Sequence, residues 1–222
     1  AGGILKTGSR IAPGDGIVWA AGRVRTEGRW IGVKCHAREL PLASDLEMHL
    51  GTNGYVGLAR IGKGLVNVCG LFRRQKGIGD REALIQCLQA GGLDSLAERL
   101  SRALPDPESF CAVAGFRTGR QDGPPFSIGD AARMIPPFTG NGMTMAFESA
   151  ESALGPLLEY CADRISWQEA ALLAGRAQDH RFARRMRVAW GLHSLLTSRP
   201  ALVASLARWH LIPCRQILRF IR

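Results

Sequence analysis

One stretch limits the fold more than any other. From Phe126 to Ala153 an apolar run ends at Gly129-Asp130, passes Pro136-Pro137 and Thr139-Gly140-Asn141-Gly142, and enters a helical pattern. Phe126 to Ile128 predicts a short strand, and Asp130 then leaves one carboxylate at its C-terminal edge. There it can accept hydrogen bonds from the hydroxyls of a sugar or sugar alcohol. Consecutive prolines, with fixed φ and no N–H, make a stiff wall in place of a ladder strand. Gly140 and Gly142 allow positive φ and add no side-chain bulk, so backbone can approach a flat ligand closely. The helix predicted from Asn141 turns its free N–H groups and dipole toward whatever that turn cradles. Its apolar residues at helical spacing are Met143, Ala146, Phe147, Ala150, Leu154 and Leu157, and the small ones among Ala146, Ser149, Ala150 and Ala153 permit close packing on a sheet. Pro156 predicts a kink or a break. These elements together suit a ligand with a polyol arm and an electron-accepting ring; the bland alternative is a helix-capping loop in a generic α/β domain.

The rest of the chain reads as β-rich, then helical. Ile17 to Ala20 predicts a buried strand running into Gly22. Trp30–Arg38, Leu46–Leu50, Tyr55–Arg60 and Leu65–Phe72 predict an antiparallel meander of three or four strands, with turns at Asn53-Gly54 and Gly62-Lys63-Gly64. A helical segment with Asp80 as N-cap, interrupted at Gly91-Gly92, ends at Ala103 before Pro105 and Pro107. Cys111–Phe116 predicts a further strand. Ser166-Trp-Gln-Glu169 has the form of a capping box that opens the next helix, and Pro200 and Pro213 punctuate the C-terminal remainder.

Composition narrows the function classes. At 222 residues, with 46% hydrophobic and 22% charged residues, the chain can bury a sizeable core and is not expected to be disordered. A net charge of +10 calls for an anionic partner or substrate, or a weak attraction to membrane surfaces. The excess lies toward the C-terminus, where residues 164–222 hold eleven arginines against Glu169 and Asp179. No nucleic-acid-binding motif accompanies it, and nucleic-acid binding is not expected. The six cysteines are scattered without a C-x-x-C pair, which predicts reduced core thiols and a cytoplasmic protein. The histidines lack metal-site spacing, and no zinc or other metal centre is expected. No stretch is apolar for long enough to span a bilayer.

Secondary candidates come from position. Lys34 and His36 share one face of a strand and could meet a substrate anion or relay a proton, although a solvated face is the plainer reading. His49 and Tyr55 flank the first hairpin turn, Arg117 and Arg120 precede the key stretch, and Arg133 lies inside it. Residues 201–222 mix apolar and arginine positions, as either a packing helix or a basic amphipathic helix on anionic lipid. No catalytic residue can be assigned.

Gly129 to Ala153 resembles the second FAD-binding motif of flavoprotein monooxygenases (the p-hydroxybenzoate hydroxylase type), halogenases and geranylgeranyl reductases, written G-D-A-A-x-x-x-x-P-x-x-G-x-G-x-x-x-A. The matches are Gly129, Asp130, Ala131, Ala132, Pro136 or Pro137, Gly140, Gly142 and Ala146. The resemblance implies that Asp130 contacts the ribityl chain and Pro137 lies near the isoalloxazine ring, while the Gly142–Met143 backbone serves its pyrimidine edge. Gly129, Ala131, Pro136, Gly140 and Asn141 complete the implied cofactor site. The implied class is α/β with α+β character: part of an FAD/NAD(P)-binding-type domain, an antiparallel substrate-domain sheet and a C-terminal helical region. The expected divisions are 1–25, FAD-domain remnant; 26–115, substrate domain; 116–163, flavin-motif strand and helix; and 164–222, helical region.

The family also has G-x-G-x-x-G after its first strand, holding the ADP half of FAD. This chain has none; Gly14-Asp15-Gly16 is a G-x-G without the third glycine, and it precedes a strand instead of following one. The N-terminal Rossmann unit is therefore expected to be missing, and FAD binding by the chain alone to be weak. The implied activity is an FAD-dependent oxidoreductase reduced by NADPH or NADH, a monooxygenase acting on a small organic substrate, aromatic or lipid-like. A geranylgeranyl-reductase-like protein on polyprenyl double bonds comes second, with peripheral membrane contact through the basic helices. A non-catalytic relic is the alternative of another class. A halogenase is less expected, since the W-x-W-x-I-P motif is absent.

Overall fold

The computed structural model describes residues 2–23, 27–73, 82–115 and 117–213. Strands β1 (Trp30–Arg38), β2 (Leu46–Gly51), β3 (Gly54–Gly62), β4 (Leu65–Arg73) and β5 (Leu104–Ala114) form one sheet in the order β2-β3-β4-β1-β5. All neighbours in it are antiparallel. The Asn53-Gly54 hairpin forms where the dipeptide places it, with Gly51 paired to Gly54. Strands β2 to β4 are the expected meander. Strand β1, however, is inserted between β4 and β5, so the chain crosses to the far edge before β2 begins.

Alternation in β1 separates the two faces. Ile31, Val33, Cys35 and Ala37 are buried, while Lys34 and Arg38 are exposed. The buried side joins Val56, Leu58, Val68 and Phe72 to Leu84, Leu88 and Leu96 of α1 (Glu82–Ala90) and α2 (Asp94–Arg102). Each large apolar side chain buried there contributes about 1.5–3 kcal/mol before entropy is counted. The break at Gly91-Gly92 is where the sequence puts it, whereas Asp80 lies outside the described residues.

Strand β5 differs from the expectation. It starts at Leu104, not Cys111, and runs through Pro105 and Pro107. Both prolines are tolerated because β5 is an edge strand, where a missing N–H need not break a ladder. Phe116, the expected end of that strand, lies outside the described residues.

The remaining elements sit around a short parallel contact. Trp19 pairs with Ser127; its N–H donates to the Phe126 carbonyl at 2.8 Å, and its own carbonyl accepts from Ile128 at 3.0 Å. Strands β6 (Gly119–Arg120) and β7 (Arg133–Met134) form a small ribbon. Three helices complete the described chain: α3 (Gly142–Cys161), α4 (Trp167–Ser198) and α5 (Pro200–Arg208). Helix α4 opens with the predicted capping box, Ser166 Oγ accepting from the Glu169 N–H at 3.2 Å and the Glu169 carboxylate from the Ser166 N–H at 2.9 Å.

Helix α3 departs from its pattern twice. It runs on through Pro156, with Leu157 and Tyr160 beyond that residue packed against the same cluster as Ala153 before it. Met145 meets Phe182 and Ala189 of α4, and Ala153 meets Trp167, Ala170 and Ala174. Its buried face is also the narrow one: Met145, Ser149 and Ala153 are buried, while Met143 is 78% and Phe147 77% exposed. Small residues win the interface because they let α3 approach closely. The cysteines are corrected similarly. Cys35 and Cys87 are buried, but Cys69, Cys111 and Cys161 are exposed. In a strand, Cys69 and Cys111 point away from their apolar neighbours Val68 and Phe110.

Two substitutions separate the buried stripe from the exposed one. Leu58→Ala should cost about 2–5 kcal/mol in urea unfolding, as a cavity in the sheet–helix core. Phe147→Ala should change stability by only about 0.5 kcal/mol. A large loss at Phe147 would show that the helix face has been misassigned.

Candidate functional site

The site is organised by how the 126–128 strand end meets α3. Ile128 is extended, and Gly129 then turns with φ +63°. A Cβ at Gly129 would lie 3.3 Å from the Ala146 Cβ, so the helix seats directly on this residue. The Gly129 N–H donates to Ser149 Oγ at 2.7 Å, and that hydroxyl donates onward to the Ala146 carbonyl at 2.7 Å. Gly129 to Ala131 form a single 3-10 turn. Ala131 is buried within it, and Asp130 stands half-buried at its rim.

The return to the helix is rigid. Pro136 is buried and Pro137 exposed, and Pro137–Thr139 form a second 3-10 turn. Thr139 Oγ1 donates to the Pro136 carbonyl at 3.0 Å and accepts from the Asn141 N–H at 3.3 Å. Gly140 has φ +64°, and among the described residues neither it nor Gly142 has a non-neighbouring atom within 4 Å of where a Cβ would stand. Helix α3 starts at Gly142, with no side-chain hydrogen bond capping its first turn. Asp130 thus lies in the first turn and the open glycines follow the second, with β7 between them and Gly129 seating the first turn on α3.

That turn is joined to the open face of the sheet. The Phe138 N–H donates to Tyr55 Oη at 3.2 Å, and the two rings meet edge to face at 6.1 Å. Burial pushes the Tyr55 phenol well above its ordinary range, which keeps it neutral. His193 of α4 completes the junction, stacked on Phe138 at 6.2 Å and edge-on to Trp30 at 5.1 Å. It is only 6% exposed, and neither ring nitrogen has a hydrogen-bond partner among the described residues. Sequence reasoning missed it. The signal was the apolar stripe Phe182, Met186, Ala189 of α4, whose spacing continues to His193.

The other candidates divide. Lys34 and His36 lie on the open face with Tyr55. His49 does not: it pairs with Glu47 at 2.9 Å, beside Arg99 of α2, on the helix-covered side. Arg133 reaches back to α4, with Asp179 at 2.5 Å and the Gly175 carbonyl as partners. Arg117 pairs with Asp122 and Arg120 with Asp179, as solvated turn residues do. Among the described residues no histidine, cysteine and carboxylate group could hold a metal ion. A cavity of about 650 Å³ lies elsewhere, lined by Asp15, Phe126, Trp167 and Arg176. The glycine turn is an open surface and not a part of it.

Two titratable groups at the site are held at a cost. Burial raises the Asp130 carboxyl above its ordinary value, with Arg23 opposing the shift. Burial lowers the His193 imidazole below its ordinary value. Each disfavours its own charged form.

No protein-family model matches the chain, and no curated protein matches it. Solved structures do share its fold. It is similar to the flavin-dependent brominase Bmp2, with a TM-score of 0.63 at 15% identity, over 86% of this chain and 50% of that one. A geranylgeranyl bacteriochlorophyll reductase-like protein from Thermoplasma acidophilum matches with a TM-score of 0.57 at 20% identity, over 76% and 43%. PqsL from Pseudomonas aeruginosa, described as a probable FAD-dependent monooxygenase, matches with a TM-score of 0.53 at 16% identity, over 82% and 52%. The chain spans about half the length of these structures, and it has the fold of that portion of them.

The two shifted groups predict opposite pH effects. A raised carboxyl favours the folded state below its ordinary value of 3.8 and loses that contribution as pH rises through the folded value. Asp130→Asn should therefore raise the melting temperature at pH 7, with the gain shrinking steadily toward pH 4. A depressed imidazole contributes above 6.5 and is lost as pH falls through the folded value. His193→Phe should accordingly protect the fold most at pH 5. Thermal melts between pH 4 and 8 check both, and pH-independent differences would refute the assigned burial.

Proposed function

We propose that this chain supplies the isoalloxazine- and ribityl-facing half of a flavin site in an FAD-dependent oxidoreductase, with monooxygenation of an organic substrate as the reaction. The observation that carries the reading is the seating of the half-buried Asp130 turn on α3 through Gly129, with the open glycines Gly140 and Gly142 at the start of the same helix. These features fit the group. Asp130 would accept hydrogen bonds from the ribityl hydroxyls, which would offset its burial. The N–H groups of Gly142 and Met143 would meet the pyrimidine edge, favoured by the helix dipole. Gly140, Asn141 and Gly142 would let backbone approach the ring, against the wall of Pro136 and Pro137. Gly129 and Ala131 hold the strand end to which Asp130 belongs.

FAD, when bound, supplies the redox chemistry, whether oxygen activation or hydride delivery, after reduction by NADPH or NADH. The chain's own residues orient and seclude. Tyr55 and Phe138 clamp the turn to the sheet, so the open face of β1, β3 and β4 becomes the far wall of the substrate space. His193 lies buried beside that wall, with neither ring nitrogen hydrogen-bonded among the described residues.

A reductase acting on lipid-like substrates is the second reading. Its support is the exposed apolar end of the helical region, where Leu202, Trp209 and Leu211 accompany Arg208. Among the described residues no helix is long and apolar enough to cross a membrane, so any such contact would be peripheral. Residues 214–222, the rest of that amphipathic segment, lie outside the described residues.

Titration with FAD and with riboflavin tests the proposal. The chain contains no G-x-G-x-x-G for the ADP half, so the two ligands should bind within about tenfold of each other, at micromolar or weaker affinity. Asp130→Ala should weaken both by about ten- to a hundredfold, since hydrogen bonds to a charged acceptor contribute about 1.5–3 kcal/mol. Asp130→Asn should be intermediate. Unchanged affinity in Asp130→Ala, with a lowered melting temperature, would make Asp130 a turn cap and end the flavin reading.

A further inference from the structure

We infer that the chain docks peripherally on an anionic lipid surface through α5, with Leu202, Trp209 and Leu211 set into the headgroup boundary and Arg199 and Arg208 meeting lipid phosphates. The dock is built from the end of the helical region alone and holds for either flavin reaction proposed above.

Charge on the helices is one-sided. From His180 to Arg222 the sequence has nine arginines and no aspartate or glutamate. The acids of the preceding elements are already held: Arg133 pairs with Asp179, Arg164 with Glu159, and Arg181 and Arg185 with Glu151 and Glu148 of α3. Arg199, at the start of α5, and Arg208, in its last turn, are exposed and have no carboxylate partner among the described residues. Most soluble surfaces intersperse both signs of charge. A cationic end without acids repels itself, and a surface of opposite charge relieves that repulsion.

The same end carries apolar side chains without cover. Val203 is the buried position of α5, while Leu202 is 46%, Trp209 72% and Leu211 66% exposed. Leu202, Leu206 and Trp209 recur at i, i+4 and i+7, and so share one face of the helix. One exposed leucine is ordinary, but three large apolar residues between positions 202 and 211, flanked by unpaired arginines, form a patch. A bilayer surface supplies phosphates and hydrocarbon in one continuous layer, with no register to match. Tryptophan suits that depth, because its ring is apolar and its indole N–H still reaches headgroup oxygens. Nucleic acid would satisfy the arginines and leave Leu202 and Leu211 in water.

Flotation of the whole chain, without flavin, on phosphatidylcholine vesicles with and without about one-third phosphatidylglycerol tests the dock. Binding to the anionic vesicles should exceed that to the neutral ones by about tenfold or more, and should fall in about 0.5 M salt. Arg199→Gln with Arg208→Gln should weaken anionic binding by about tenfold to thirtyfold. Leu202→Ser with Trp209→Ser should weaken it by about tenfold or more without lowering the melting temperature, since both side chains are exposed in the fold. Arg117→Gln with Arg120→Gln removes the same net charge from solvated turns and should change binding by less than about twofold. Absence of binding to anionic vesicles overturns the dock. An equal loss in the Arg117 and Arg120 variant also overturns it, since net charge alone would then explain the attraction. Undiminished binding after Leu202→Ser with Trp209→Ser overturns the insertion of α5. A single-stranded oligonucleotide bound more tightly than the anionic vesicles overturns the lipid assignment in favour of nucleic acid. Because no flavin is present, failure here is separable from failure of the flavin titration.

Discussion

Gly129 carries a constraint on which the arrangement of the site depends. Its positive φ lets the strand end turn without strain, and its lack of a Cβ lets Ala146 of α3 come into contact. The Ser149 hydroxyl then takes the Gly129 N–H, which would otherwise be an unpaired donor beneath the helix. A side chain at 129 would be strained by the backbone and would push the helix away. With the helix seated there, the half-buried Asp130 turn packs against α3 near its N-terminal end. The same close approach explains why α3 buries Ser149 and Ala153 and leaves Met143 and Phe147 outside.

A second contact relates this unit to the sheet. Tyr55 Oη accepts from the Phe138 backbone, and the aromatic group of Trp30, Tyr55, Phe138 and His193 fills the junction. The junction is not optimised for stability. It keeps a buried imidazole with two unpartnered nitrogens, and Asp130 nearby keeps a carboxyl that burial disfavours. Unpaired buried polar groups each cost about 1–3 kcal/mol, and local rules tend to be broken where a ligand later satisfies them.

Much of the site was legible locally. Proline rigidity, glycine freedom and the strand-to-helix transition act over a few residues, so residues 126–153 disclosed a turn with an acidic rim. The hairpin at Asn53-Gly54, the break at Gly91-Gly92 and the Ser166 capping box are local for the same reason. The features that escaped depend on distant partners. Lys34 and His49 looked alike as charged strand residues, yet β1 register sends one to the open face while Glu47 and Arg99 hold the other on the helix side.

The sequence by itself determined most of the strands and helices and where the glycine turns lie, because propensity, φ restriction and capping are short-range forces. Tertiary structure alone decided the insertion of β1 between β4 and β5, the acceptance of Pro105 and Pro107 at a sheet edge, and the exposure of α3's larger apolar residues. It alone brought His193 to Trp30 and Phe138, and Cys69 and Cys111 to either side of Lys34. Each of these turns on the packing of elements far apart in the chain, where the favourable term is shared surface and close contact, and periodicity within one segment does not say which neighbour it will meet.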